Sequence, residues 1–401
     1  MAEINQQPAP NGPAATPSTP TPASTPPPTT AAPATSTSAS TVTAQADEGR
    51  LRGISRSVII GVGGTGHQII LAVRKRLIEK YGSLDKLPIV GFALLDTDQA
   101  IFSKNPDYDD AVNLDSADKI HCSVHGVDNL RKNLRDHPHL RNWLDPRVLT
   151  GDIDQGAGAV RARGRLAYFW NYATIARKLE DEMHMVTKDS SKETAIKNGL
   201  QVGEGLTVYV VGSLLGGTGS GMFLDLAYTI RNKFKNQRML EMIGMFSIPP
   251  NSESVAVDNR PNAYAALLEL NHFTDPSTTF TSQYQADIPP MEDADPPFRY
   301  TYLVDTSSPV ANLDSVKDLV DMVGHSIFLD LTSEFQRQKK SNRNNFDQFL
   351  ITSDGLGCAQ NYMGFGLSSI YFPKDKVISA CENRLAGDMI RRWTEPLDKV
   401  A

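Results

Sequence analysis

Cysteine is scarce in this chain: Cys122, Cys358 and Cys381 are the only three, and they lie far apart in 401 residues. That excludes a disulfide-framed secreted scaffold and fits a reducing, cytoplasmic setting. No run of about 18 apolar residues occurs, so no segment reads as a membrane span. No apolar stretch behind a basic start reads as a targeting signal either. Positive charge is not in excess: 40 Lys and Arg stand against 46 Asp and Glu, and a formal net charge of -6 gives no reason to expect nucleic acid. Residues 1–50 have no aromatic side chain and consist mainly of Ala, Pro, Ser and Thr. Such a segment cannot bury enough apolar surface to offset its ordering entropy, so it is expected to be a disordered tail, open to protein partners.

What is present is an alternation of short apolar runs with amphipathic ones. "SVIIGV" (57–62) reads as a strand, and "HQIILAVRKRLIEKY" (67–81) as a helix with cations near its end, where they suit the helix dipole. "LPIVGFALLDTDQA" (87–100) reads as a buried strand ending in acids. This β-loop-α-β order predicts an α/β fold with a parallel sheet between helical layers. Residues 103–150 read as a polar insertion with one helix at 127–144, followed by a helix at 165–184 and a polar linker at 188–204. The strand "LTVYVVGS" (206–213) then runs into "LLGGTGSGMFLDLAYTIRNKF" (214–234), again a glycine loop before a helix. Strands at 242–250 and 299–307 flank a helix at 261–273 and a polar stretch at 274–297. A long helix pattern at 313–335 leads to a loop, a strand at 361–372 and a final helix at 373–393.

The first glycine loop is a literal G-x-G-x-x-G at Gly61, Gly63 and Gly66. Glycine at a strand-to-helix turn lets backbone approach a phosphate, and the helix start aims unpaired N–H groups at it. A dinucleotide fold needs a ribose-binding acid roughly 20 residues on, whereas Asp96 lies 30 residues after Gly66. An NAD-dependent oxidoreductase therefore rests on this loop alone. A P-loop is disfavoured because His67 and Gln68 follow, where Lys and Ser or Thr are needed. The second loop, "GGTGSG" (216–221), has the makings of a nest of N–H donors around a polyphosphate, although such turns also serve close helix packing. The basic run "RARGR" (161–165) is either a solvated helix start or a contact with a phosphate-bearing ligand. His121 and His125 are four apart, as a metal pair on a helix would be, but no second ligand pair accompanies them and His137 and His139 flank a proline. They are expected to be solvated, and no resident metal cluster is expected.

With both loops in view, the sequence resembles the tubulin/FtsZ superfamily of GTPases over most of residues 57–395. "GGTGSG" has the form of that family's T4 loop, which places Gly216, Gly217, Thr218, Gly219, Ser220 and Gly221 around the phosphates of a guanine nucleotide. "IGVGGTGHQI" is similar to its first phosphate loop, with Gly63, Gly64, Thr65 and Gln68 as contacts. "FALLDTDQA" is similar to the strand and T2 loop, which puts Asp96, Thr97 and Asp98 near Mg2+ and the terminal phosphate. "GAGAVRARGR" is similar to the γ-phosphate-sensing T3 loop: Gly156, Ala157, Gly158 and Ala159 fit, while Val160 replaces an Asn. Glu253 for the ribose, and Arg260 and Asn262 for the base, are candidates in the T5 region, with the register between them open. "KDLVDMVGHSIFLDL" resembles the family's central helix and would set Asp318 against the guanine edge.

The resemblance implies a three-layer Rossmann-like nucleotide domain at 51–312 with insertions near 103–150 and 274–297. A central helix at 313–340 follows, then a T7-like loop and the start of an α+β activation domain at 341–401. It also implies GTP/GDP with Mg2+ as ligands, head-to-tail self-association into a cytoskeletal filament, and hydrolysis completed when the T7 loop of one subunit covers the nucleotide of the next. The family's T7 acids map onto "NRNNFDQFL" in two registers, Asn342-Asn344-Asp347 or Asn345-Asp347-Leu350, each lacking one acid. Both retain Asp347, so Asp347, with Asn344 and Asn345, is the catalytic candidate, and turnover is expected to be slow. The alternative is a guanine-nucleotide-binding scaffold that recruits partners without polymerising.

Overall fold

The structure, a computed structural model, describes residues 52–237, 239–249, 259–307, 312–313, 315–332, 361–365 and 374–394. The chain opens with β1 (Arg52–Ile54), β2 (Ser57–Val62), α1 (Gly63–Tyr81), β3 (Val90–Asp96) and β4 (Lys119–His121). Five helices and two strands follow: α2 (Val127–Lys132), α3 (Pro138–Arg141), α4 (Arg161–Trp170), α5 (Tyr172–Thr187), α6 (Asp189–Lys197), β5 (Leu200–Val202) and β6 (Leu206–Ser213). Next come α7 (Gly217–Lys233), β7 (Leu240–Ser247), α8 (Arg260–Thr274), β8 (Phe280–Ser282), β9 (Met291–Asp293) and β10 (Tyr300–Val304). The last described elements are α9 (Val316–Thr332), β11 (Tyr362–Met363) and α10 (Lys374–Thr394).

The central sheet runs β11-β10-β7-β6-β2-β3-β4, with every neighbouring pair parallel. Its inner strands are apolar along their length because both faces are covered, as a parallel sheet requires. Val58, Ile60 and Val62 point into one core with Val208 and Val210, while Ile59 joins Tyr209 and Val211 in the other. Helices α4, α5, α7 and α8 cover the first face, and α1 and α9 the second. The architecture is therefore the expected α/β three-layer one. No helix among the described residues is long and apolar enough to cross a membrane.

Several segments differ from the sequence reading. The helix expected at 127–144 is broken into α2, a single 3-10 turn and α3, because Pro138 lacks an N–H and its ring crowds the preceding turn. The helix expected at 165–184 starts earlier, at Arg161, and breaks at Asn171, whose side-chain amide donates to the carbonyls of Ser123 and Ala167, both at 2.9 Å. The polar linker holds α6 and β5, the latter paired in parallel with β1. Only Ser191 and Ala195 of α6 are buried, too few to leave an apolar period in the sequence. The polar insertion supplies β4 to the sheet edge, and the 274–297 stretch contains the antiparallel β8–β9 hairpin. Tyr362–Met363, expected to open the sheet of a second domain, instead pairs in parallel with β10 at the edge of the first.

Glu182 of α5 sits against Gly91 of β3, in a crevice with Asp118 and Arg74. Burial, then the Asp118 carboxylate, pushes its carboxyl from the ordinary 4.5 up to about 7. The folded chain thus holds this proton more tightly than the unfolded chain. The associated stability is full below about pH 4.5 and is lost as pH rises through about 7. Glu182→Gln is expected to raise stability by about 1 to 2 kcal/mol at pH 8, after allowance for partial exposure, and to change little at pH 4.5. Urea melts at the two pH values check this; an equal gain at both would put the effect elsewhere.

Candidate functional site

In an open parallel sheet, ligands bind beyond the carboxyl ends of the strands where the connections diverge. Here that point lies between β2 and β6, the strands from which the order proceeds toward β4 on one side and β11 on the other. Both strands run straight into a helix, β2 into α1 at Gly63 and β6 through Leu214–Gly216 into α7 at Gly217. Two helix N-termini, with their unpaired N–H groups and partial positive charge, therefore face one place. A cavity of about 420 Å3 opens there, lined by Gly63, Gly64, Thr65, Gly216, Gly217, Thr218 and Gly219. Its volume is in the range of small-molecule sites.

The glycines divide their work. A methyl on Gly61 would lie 2.8 Å from the Gly66 backbone, and one on Gly66 2.7 Å from the Val211 carbonyl oxygen. The outer two glycines of the G-x-G-x-x-G run therefore serve the close packing of α1 on β2 and β6. Gly63 takes a left-handed φ of 73° and faces the cavity. In the second loop, side chains on Gly217, Gly219 and Gly221 would collide with the backbone of Val160, Ser213 and Arg161. Gly64 and Gly216 alone among the cavity glycines have open space where a Cβ would stand.

The loop at 156–160 is fastened to its neighbours. Ala157 and Ala159 line the cavity, and Ala159 is held at φ 57°, which costs about 1 to 2 kcal/mol for a residue other than glycine. The Asn262 side-chain amide secures it by donating to the Ala159 carbonyl at 2.7 Å and the Leu215 carbonyl at 3.0 Å. One side chain thus ties together two loops of the cavity. Asn262→Ala is expected to lower stability by about 1 kcal/mol, the worth of such bonds. Calorimetry checks this, and an unshifted melting point would mean that other contacts hold the loops. Gly156 and Gly158, at φ 95° and 60°, shape the same loop without lining the cavity.

The loop after β3 stands behind this wall. Thr97 is fully buried, and its hydroxyl lies 2.7 Å from that of Thr218. The Asp96 carboxylate accepts the N–H groups of Thr97 at 2.7 Å and Asp98 at 3.3 Å. Burial still pushes its carboxyl above the usual range, with those bonds pulling the other way. Asp98 caps the following turn by accepting the Ala100 N–H. Neither acid, nor Thr97, lines the cavity.

Other expected contacts are placed as follows. Gln68 is exposed on α1, and Ser220 and Gly221, the next residues of α7 after Gly219, do not line the cavity. Arg260 opens α8. Asp318 is exposed; its carboxylate accepts the Ser315 hydroxyl at 2.8 Å, while Val316 and Leu319 beside it line the cavity. Glu253, Asn344, Asn345 and Asp347 lie outside the described residues, as does the tail at 1–50. The arginines of "RARGR" are committed to protein: Arg161 to Glu269 and the Ser220 carbonyl, Arg163 to the Thr150 and Asp152 carbonyls, and Arg165 to Asp225. His67 stays neutral, because burial and the Lys119 charge hold it down to about 4. Sequence reasoning missed Ser213, Ser247, Ile248 and Thr306, which reach the cavity from the ends of β6, β7 and β10. A register count along the sheet could have found them, since parallel strands end at one level.

No curated protein matches the chain in sequence. Among solved structures, CetZ2 from Haloferax volcanii, a GTPγS-bound protofilament, is similar at 14% identity and a TM-score of 0.39, over 69% of this chain and 59% of that one. CetZ1 from the same organism, a GDP-bound monomer, matches at 12% identity and TM-score 0.32, over 69% and 58%. TubZ of Clostridium botulinum phage c-st, truncated at its C-terminal tail, matches at 13% and 0.35, over 69% and 61%. The matched region thus spans about three fifths of those proteins. The family described as "Tubulin like" matches residues 58–391, which takes in both glycine loops and α9, and the chain belongs to that family.

Proposed function

We propose that the chain binds GTP and GDP in the cavity at the ends of β2 and β6. Copies then assemble head to tail into a filament whose joint completes GTP hydrolysis. The observation that carries the reading is the convergence of two helix N-termini on one cavity, with open space for a ligand at Gly64 and Gly216. The phosphates are assigned to that end. The base is assigned to the wall of Leu215, Ile248, Val316 and Leu319, with Asp318 as the acid for the guanine edge. Bound GTP supplies the phosphoanhydride, and Mg2+ would neutralise its charge. No group of three or more metal-ligating side chains stands among the described residues. Neither Asp96 nor Asp98 lines the cavity, so the ion would be held chiefly by the nucleotide's phosphates, as Mg2+ commonly is. A head-to-tail contact that does not close gives an open polymer.

Purified protein incubated with GTP, GDP or NAD, followed by light scattering and phosphate release, tests this. GTP-dependent scattering with phosphate release supports the filament; NAD binding without GTP binding would sink the reading. Binding without either signal would favour a nucleotide-dependent scaffold, which Val160 in place of Asn also favours. Asp347→Ala is expected to slow phosphate release about 100-fold, the order lost when a positioned catalytic group is removed, with GTP affinity unchanged. Lost affinity would remove Asp347 from that role.

A further inference from the structure

A second and larger cavity, of about 690 Å3, lies on the first face between α4, α7, α8 and β8. It is separate from the nucleotide cavity: Thr218 and Gly219 face one, and Ser220 and Gly221 face the other. Its walls combine two kinds of surface. Phe223, Phe273, Phe280 and Leu224 supply apolar wall, while Arg161 and Arg165 bring two guanidinium groups to it.

The two arginines differ. Arg165 is fixed, stacked 4.7 Å over the Trp143 ring and paired with the buried Asp225 carboxylate at 2.9 Å. Arg161 is held on one side by the Ser220 carbonyl at 3.0 Å and on the other by Glu269. Glu269 is 47% exposed on the outer part of α8, whereas Arg161 is 17% exposed. The pair is two-pointed, Nη1 to Oε1 and Nη2 to Oε2, but its carboxylate is half exposed, so an anion entering the cavity can compete for the guanidinium. Trp143, also in the wall, buries its indole N–H without an acceptor, which leaves a donor unsatisfied.

We propose that this cavity is a second small-molecule site, which takes a flat apolar ligand bearing one carboxylate, sulfonate or phosphate. The flat body lies in the cavity against its apolar wall. The anion displaces Glu269 from Arg161. No covalent step is involved, and the inference stands whether or not the other cavity holds GTP.

Titration of the full chain with 8-anilinonaphthalene-1-sulfonate, an aromatic sulfonate, tests it by fluorescence. One saturable site per chain is expected, and it should persist at saturating GTP. Glu269→Gln, which frees Arg161 at the surface, should tighten the probe about two- to fivefold, the range of a half-exposed ion pair. Arg161→Gln should weaken it at least about tenfold, as loss of a charged hydrogen bond does. Circular dichroism should show both variants folded, and Glu269→Gln carries the test if Arg161→Gln does not fold. The proposal is overturned by the absence of saturable binding or by competitive displacement with GTP. Equal affinity in the folded variants would also overturn it, since the probe would then sit on exposed apolar surface such as Val377, Leu385 and Trp393 of α10.

Discussion

Gly216→Val is expected to lower GTP affinity about 100-fold, or about 2.7 kcal/mol, while leaving the melting temperature of the ligand-free chain within about 2 °C. Gly216 is the residue before α7, with φ -80° and ψ 164°, an extended conformation that valine adopts readily. Nothing lies within 4 Å of its missing Cβ, so the folded chain accommodates the new side chain. That open space belongs to the cavity, however. The branched side chain would occupy the approach to the N–H groups of Gly217 and Thr218, where the phosphates are assigned. Calorimetric titration with GTP, beside a thermal melt, separates the two effects. Unchanged affinity would move the nucleotide away from this turn, and a large drop in melting temperature would make the glycine a packing residue like Gly217.

Asp225→Ala is expected to cost about 3 kcal/mol and to lower the melting temperature by roughly 4 to 5 °C, because it breaks a buried network from its centre. The Asp225 side chain is 3% exposed and accepts from Arg165 Nε at 2.9 Å, from the Tyr284 hydroxyl at 3.0 Å and from the Ser282 hydroxyl at 3.4 Å. Truncation leaves the Arg165 charge and the Tyr284 hydroxyl without that acceptor. Arg165 is 31% exposed, so water restores part of the loss, which keeps the effect at the lower end for buried pairs. Asp225→Asn should lose less, since it keeps one acceptor oxygen. If Asp225→Ala melts within about 2 °C of the parent chain, the network contributes little beyond specificity.

The two substitutions act on the start and the middle of one helix. At Gly216 the start of α7 borders the cavity, and two turns later Asp225 anchors the helix to α4 and to Ser282 of β8. Between them, Gly221 lets α7 approach α4 so closely that a side chain would collide with the Arg161 carbonyl oxygen. The position of the candidate phosphate loop thus depends on contacts of α7 that never touch the cavity.

The sequence by itself determined the parallel α/β sheet, because buried parallel strands must be apolar on both faces and "SVIIGV", "VGFALLD" and "LTVYVVGS" could be little else. It also determined where strand runs into helix, since glycine loops at Gly63 and Gly216 interrupt the apolar pattern at those points. Segments with little apolar content left no such trace. The strands β4 and β5 exist through pairing with distant chain, and Lys119–His121 is a strand only because β3 lies beside it. Within the loops, the tertiary structure alone decided which glycines are open and which are packed. "GGTGSG" reads the same at each glycine, but Gly217 faces Val160 whereas Gly216 faces empty space. It also decided that the arginines of "RARGR" meet carbonyls and carboxylates on α7, α8 and the neighbouring loop. The physical reason is the same in each case. Periodicity and turn chemistry are local, whereas close approach, desolvation and the choice of a charge partner depend on which distant segments the fold brings together.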